Sequence, residues 1–170
     1  MSLSPRCRRA GFTLVEAMIV VVILGILAAT ILSQFAQSTR DAKETSTIQN
    51  LQMLRHQIQL YKSQHDGVLP AEETTTAAMF ASQLTEKTTL AGVVDAANGS
   101  LGPYILGQLP QNAYKASREV TVKNGALVAG DYDGSGTHGW AYSSSTGEIR
   151  ANIDPAIKSL VETTKTLNSF

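Results

Sequence analysis

Three sets of residues in this chain are of types that can do chemistry. Glu16 is the one charged residue in the 21-residue apolar run Phe12–Leu32. An ionised carboxylate in hydrocarbon costs about 2.5–3.5 kcal/mol on insertion scales, so an acid placed there marks a functional position. Asp131, Asp133 and Ser135 alternate in "GDYDGSGTHGWAY", with Gly136 at the sixth position. That is the opening half of a calcium loop, in which alternating oxygens converge and a glycine permits the sharp turn. The twelfth position, where an EF-hand carries a bidentate acid, is Tyr142, so an EF-hand is excluded. A missing ligand would come from Glu148, Asp154 or water. The same residues also describe a glycine-rich turn with solvated aspartates, and both readings stand. The third set is the histidines. His56 and His65 read as surface residues of a helix. His138 adjoins the loop, but a hard, oxygen-seeking ion does not select imidazole.

Other chemistry is missing from the sequence. There is no HExxH pair, no phosphate-binding glycine loop and no G-x-S-x-G elbow, so the chain does not read as an enzyme. The formal charge is zero and no aromatic platform is visible, which argues against a nucleic-acid partner. The one cysteine, Cys7, lies in a basic leader with Arg6, Arg8 and Arg9, and the next basic residue is Arg40. Once that leader is removed, no thiol remains for a disulfide.

The element that must position Glu16 is the apolar run itself. About 20 residues at 1.5 Å rise cross a bilayer, and basic residues on the N-terminal side would hold that end in the cytoplasm. A secretory signal peptide would have a shorter apolar region and a small-residue cleavage site beyond it. Neither an ordinary anchor nor a signal peptide explains the acid.

The ordered set of basic leader, Gly11-Phe12-Thr13-Leu14-Val15-Glu16 and apolar helix resembles the class III signal of type IV pilins and type II secretion pseudopilins. The resemblance implies cleavage between Gly11 and Phe12 by a prepilin peptidase and N-methylation of Phe12. It also implies an assembly role for Glu16, whose carboxylate can meet the Phe12 amine of the same or a neighbouring subunit. Many type IV pilins carry a proline further along the helix, whereas Thr30–Phe35 has none here. With the loop "GPYILGQLP" and the terminal "GWAYSSSTGEIRAN", this makes the major pseudopilin of type II secretion the closest likeness. Calcium binding in the β-region of such pseudopilins would then involve Asp131, Asp133 and Ser135. The partners implied are further copies of the chain, minor pseudopilins, the peptidase and an inner-membrane assembly platform. The protein would be a single-pass inner-membrane subunit with its C-terminal domain periplasmic or otherwise extracytoplasmic, assembling into a periplasmic filament. A type IV pilus subunit for adhesion, motility or DNA uptake, and a membrane-tethered domain that never polymerises, are the alternatives.

The expected fold is α+β: a long N-terminal spine helix on a small antiparallel sheet. Residues 1–11 form the leader, 12–37 the membrane and filament-core half of the helix, and 38–66 its amphipathic half. Ile48, Leu51, Leu54, Ile58 and Tyr61 supply a stripe at helical spacing. From Phe12 to about His65 such a helix would be about 80 Å long. Asp66-Gly67 and Pro70 stop it. Residues 67–118 form a helix-and-loop region with a short helix over 77–86, and 119–152 form the sheet. Two hairpins are expected there: Glu119–Lys123 with Ala126–Ala129 around Asn124-Gly125, and His138–Ser143 with Gly147–Ala151. Residues 153–170 are a tail read as a last helix carrying Ile157, Leu160, Val161 and Leu167.

Overall fold

The computed structural model describes residues 11–157 and 159. The leader, Cys7 included, and most of the helix expected over residues 153–170 lie outside the described residues; where that helix was to start, the chain makes only a turn, Ile157 N–H donating to the Asp154 carbonyl at 2.9 Å. In order, the elements are α1 (Leu14–Gln64), α2 (Ala77–Thr85), β1 (Val120–Lys123), a 3-10 turn (Ala129–Asp131), β2 (Trp140–Ser143) and β3 (Ile149–Ala151). The chain divides into two compact units, Met1–Arg40 and Asp41–Phe170.

In the first unit α1 is apolar all round. Every described residue from 11 to 43 whose side chain is placed is exposed. By length and hydropathy this is a helix fit to cross a membrane. Such a surface is stable only against lipid or against other apolar helices.

In the second unit the helix becomes one-sided. Its buried positions are Glu44, Thr47, Leu51, Leu54, Ile58, Tyr61 and His65, at alternating spacings of three and four. That spacing keeps one stripe facing the domain. His65, expected on the surface, is fully buried. It lies four residues beyond Tyr61, on the same face, and its ring stacks on Tyr61 at 3.7 Å between centroids and 10° between planes. His65 Nδ1 faces the Tyr61 carbonyl at 2.8 Å, which fixes the proton on that nitrogen, and Nε2 meets the Thr88 hydroxyl at 2.9 Å. The helix ends where Gly67 N–H donates to the Lys62 carbonyl at 2.9 Å.

Thr76 caps α2, its hydroxyl accepting from Met79 N–H at 3.2 Å. Phe80 and Leu84 of that helix join Leu51, Leu54, Ile58, Trp140, Tyr142 and Ile149 in one core. The loop before β1 adds Ile105 and Leu109. Trp140 Nε1–H donates to the Pro110 carbonyl at 2.9 Å, and Tyr142 O–H to that of Pro70 at 3.1 Å. These bonds satisfy the polar ends of two otherwise apolar rings.

The fold class is α+β as expected, but the sheet is mixed rather than antiparallel. Its strand order is β1-β2-β3. β2 and β3 form the expected antiparallel hairpin, with Trp140 opposite Ala151 and Tyr142 opposite Ile149. β1 instead runs parallel to β2, Val120 opposite Trp140 and Lys123 opposite Ser143. The hairpin around Asn124-Gly125 does not form, and residues 126–129 make no strand. The chain leaves β1 because its end is held elsewhere. Gly125 N–H donates to the Ser145 hydroxyl at 3.0 Å, and the Lys123 carbonyl accepts from Ser144 N–H at 2.9 Å. Residues 124–139 then serve as the crossover that any parallel pair requires.

Candidate functional site

Gly11, Phe12 and Thr13 precede α1 in non-helical conformation, and all three are exposed. The Gly11–Phe12 bond is therefore presented as exposed backbone at a helix entrance, and among the described residues nothing lies within 4 Å of where a side chain on Gly11 would start. Thr13 starts the helix: its hydroxyl accepts from Glu16 N–H at 3.2 Å, and its carbonyl from Ala17 N–H at 3.2 Å. Thr13-x-x-Glu16 has the spacing of a capping box, a signal that the sequence carried but that the resemblance alone left unused. Glu16 lies in the first turn of α1 and is exposed. A carboxylate there gains about 0.3–1 kcal/mol from the helix dipole, so its position is electrostatically sound before any partner arrives.

The second candidate, the loop 131–138, lies between β1 and β2. Asp131 and Asp133 each have their own hydrogen-bond partners. Asp131 pairs with Lys123, both carboxylate oxygens 3.0 Å from Nζ, and also accepts from Val128 N–H at 2.8 Å. The Val128 amide, then Lys123, holds the Asp131 carboxyl below its ordinary range. Asp133 accepts from Ser135 N–H at 2.8 Å, an Asx turn, and the Ser135 hydroxyl and amide together hold its carboxyl low as well. Among the described residues no three His, Cys, Asp or Glu side chains gather as a metal site would need. Glu148 pairs with Arg150 at 2.7 Å, and Asp154 Oδ1 accepts from Ala156 N–H at 2.8 Å.

The carbonyls of the loop are taken as well. Lys115 Nζ donates to the Gly134 carbonyl and, at 3.2 Å, to that of Gly136. Asn152, fully buried, donates from Nδ2 to the Ser135 carbonyl at 2.6 Å and to that of His138 at 2.9 Å. Its Oδ1 accepts from Gly134 N–H at 2.7 Å. Asn112, also fully buried, ties the neighbouring turn. Its Nδ2 donates to the Gly139 carbonyl at 2.7 Å, and its Oδ1 accepts from Tyr114 N–H at 2.9 Å. His138 Nε2 lies 3.2 Å from the Asp131 carbonyl. Gly134, at φ +85, passes so close to Asp154 that a β-carbon would lie 2.6 Å from its backbone nitrogen. Lys115, Asn112 and Asn152 are thus the residues that shape the loop. No spacing in the sequence marked them, because each acts on backbone atoms far along the chain.

Calcium takes six to eight oxygens at 2.3–2.6 Å, most of them facing inward in one shell. The arrangement described does not fit that requirement. The Asp131 carboxylate and the Gly134 and Gly136 carbonyls already face ammonium groups, and the carbonyls of Ser135 and His138 face an amide.

Residues 6–32 match the family model of the prokaryotic N-terminal methylation motif. Neither a curated protein nor a solved structure matches the chain. The chain therefore carries a prepilin-type, class III N-terminal signal on a helix apolar enough to anchor it in a membrane.

Proposed function

We propose that this protein is the major pseudopilin of a type II secretion system. In this reading it is cut between Gly11 and Phe12, methylated on Phe12, stored in the inner membrane and assembled into a helical periplasmic filament that aids protein export. The observation that carries the reading is the methylation motif at residues 6–32 leading into one helix that ends inside a folded α+β domain. The motif supports a type IV pilin-like structural subunit rather than an enzyme. Three features favour the pseudopilin within that class: no proline between residues 6 and 69, a loop that seats Ile105 and Leu109 in the core, and the terminal β2–β3 hairpin.

Glu16 has the role of a register device. The amine created at Phe12 has an unperturbed pKa of about 7.7–8.0, and packing the helices together takes both groups out of water. An unpaired carboxylate in that setting costs about 3–5 kcal/mol relative to a paired one. Only subunits placed so that Glu16 meets an amine escape that cost. The partners are further copies of the chain, minor pseudopilins, the prepilin peptidase and the inner-membrane assembly platform, with no role for nucleic acid. Deleting the gene and restoring it in the native host tests the assignment. Loss of exoprotein secretion with surface piliation and motility intact is expected. Loss of pili or twitching with secretion intact would assign the chain to a type IV pilus instead.

A further inference from the structure

A loop with the alternating oxygens of a calcium site needs a cation where its carbonyls converge. We propose that the Lys115 ammonium is that cation, so the loop 131–138 closes without bound metal. The geometry has three parts. Lys115 Nζ sits on the Gly134 and Gly136 carbonyls, the two that flank Ser135. Lys123 Nζ sits on both oxygens of Asp131, in the first position of the calcium-like pattern. Asn152 supplies the remaining inward donors, to the carbonyls of Ser135 and His138. Two ammonium groups thus face a loop with two aspartates, Asp131 and Asp133, and the formal charges of these four side chains cancel. A divalent ion taking the same oxygens would first have to expel an ammonium group. An ammonium offers three donors and no more, whereas calcium requires six to eight oxygens. Lys115 places two of its three donors on carbonyl acceptors of this loop.

The lysine comes from the turn 112–117, which is itself fixed. Asn112 Oδ1 accepts from Lys115 N–H at 3.4 Å and Asn112 N–H donates to the Ser117 carbonyl at 2.9 Å. The Lys115 stem thus starts from a held backbone, which lowers the entropy lost on placing its charged end. The consequence is that this loop's shape does not depend on the metal content of its surroundings.

Full-length protein in detergent, stripped with chelator, is melted with millimolar calcium and with chelator, following Trp140 fluorescence. The two curves are expected to agree within 1–2 °C, about the reproducibility of such a scan. Lys115→Met is expected to melt about 5 °C lower or more, since it removes both charge-assisted hydrogen bonds that Lys115 makes to the loop. Calcium-induced stabilisation of the wild type by 5 °C or more would overturn the proposal, as would a Lys115→Met variant that melts like the wild type. If Lys115→Met does not accumulate, Lys115→Gln is read in its place. It keeps an amide donor, so a smaller loss is expected and an unchanged melt counts against the proposal. The calcium comparison on the wild type decides independently of either variant.

Discussion

Replacing Asn152 by alanine removes three hydrogen bonds made by one fully buried side chain: those from Nδ2 to the Ser135 and His138 carbonyls, and that from Gly134 N–H to Oδ1. Each such bond contributes about 0.5–1.5 kcal/mol net, or about 3 kcal/mol for three. Ser135 is exposed, so water can replace its lost partner, while Gly134 and His138 are only partly exposed. The expected loss is therefore about 2–3 kcal/mol. For a chain of this length that lowers Tm by about 5–10 °C. Trp140 is the single tryptophan and is fully buried, so its fluorescence reports the melting of this domain directly. Asn152→Asp should do no better at neutral pH, because a carboxylate keeps the Gly134 bond but faces two carbonyl oxygens without a proton to give. An Asn152→Ala melt within 2 °C of the wild type, a margin set by the ordinary scatter of about 1–2 °C in such scans, would refute the assignment of Asn152 as the organiser of the loop.

Other outcomes follow from the same geometry. Glu16→Val should leave membrane insertion intact, because it removes a cost of about 2.5–3.5 kcal/mol, while filaments are lost or disordered; imaging filaments of normal yield and symmetry would contradict the register role. Gly134→Ala forces a β-carbon onto the Asp154 backbone at φ +85, so strain of about 1–2 kcal/mol adds to overpacking of about 1–3 kcal/mol, and a large drop in Tm is expected. At high pH the domain should lose stability. Burial pushes the Tyr61 phenol up to about 12 and raises that of Tyr142, whereas unfolded phenols ionise near 10. The stability these groups add is whole below about pH 10 and is lost as pH rises through about 12. Absorbance titration of tyrosine should accordingly show two slow groups that ionise only with unfolding, and five freely titrating phenols would contradict their burial.

Much of the fold was legible because its signals are local and periodic. Leu51, Leu54, Ile58 and Tyr61 of the expected stripe lie on the buried face of α1, with Ile48 partly buried beside them, and the Trp140–Tyr142 alternation sits in an antiparallel hairpin with β3. What the sequence concealed is set by contacts between distant residues. Asn124-Gly125 is a strong hairpin signal, but the strand after it loses to bonds that Lys123 and Gly125 make with residues 131 and 144–145. His65 reads as a surface residue by type, yet continues the buried spacing of Tyr61 and finds a partner in Thr88, 23 residues away. The prepilin-type signal was legible because it is a linear stretch, and the family model of the N-terminal methylation motif matches it over residues 6–32. The loop 131–138 was legible only in its oxygens. The groups that meet them, on Lys115, Lys123 and Asn152, lie outside it.

The proposed function requires a cut between Gly11 and Phe12, which would free the amine that Glu16 is proposed to meet. Intact-mass and N-terminal fragment analysis of the protein extracted from membranes, with its prepilin peptidase present, tests this directly. The expected result is an N-terminus at Phe12 bearing one methyl group on its nitrogen. A chain that retains Arg6–Gly11, or that begins within residues 28–36 as after an ordinary signal peptide, would contradict it.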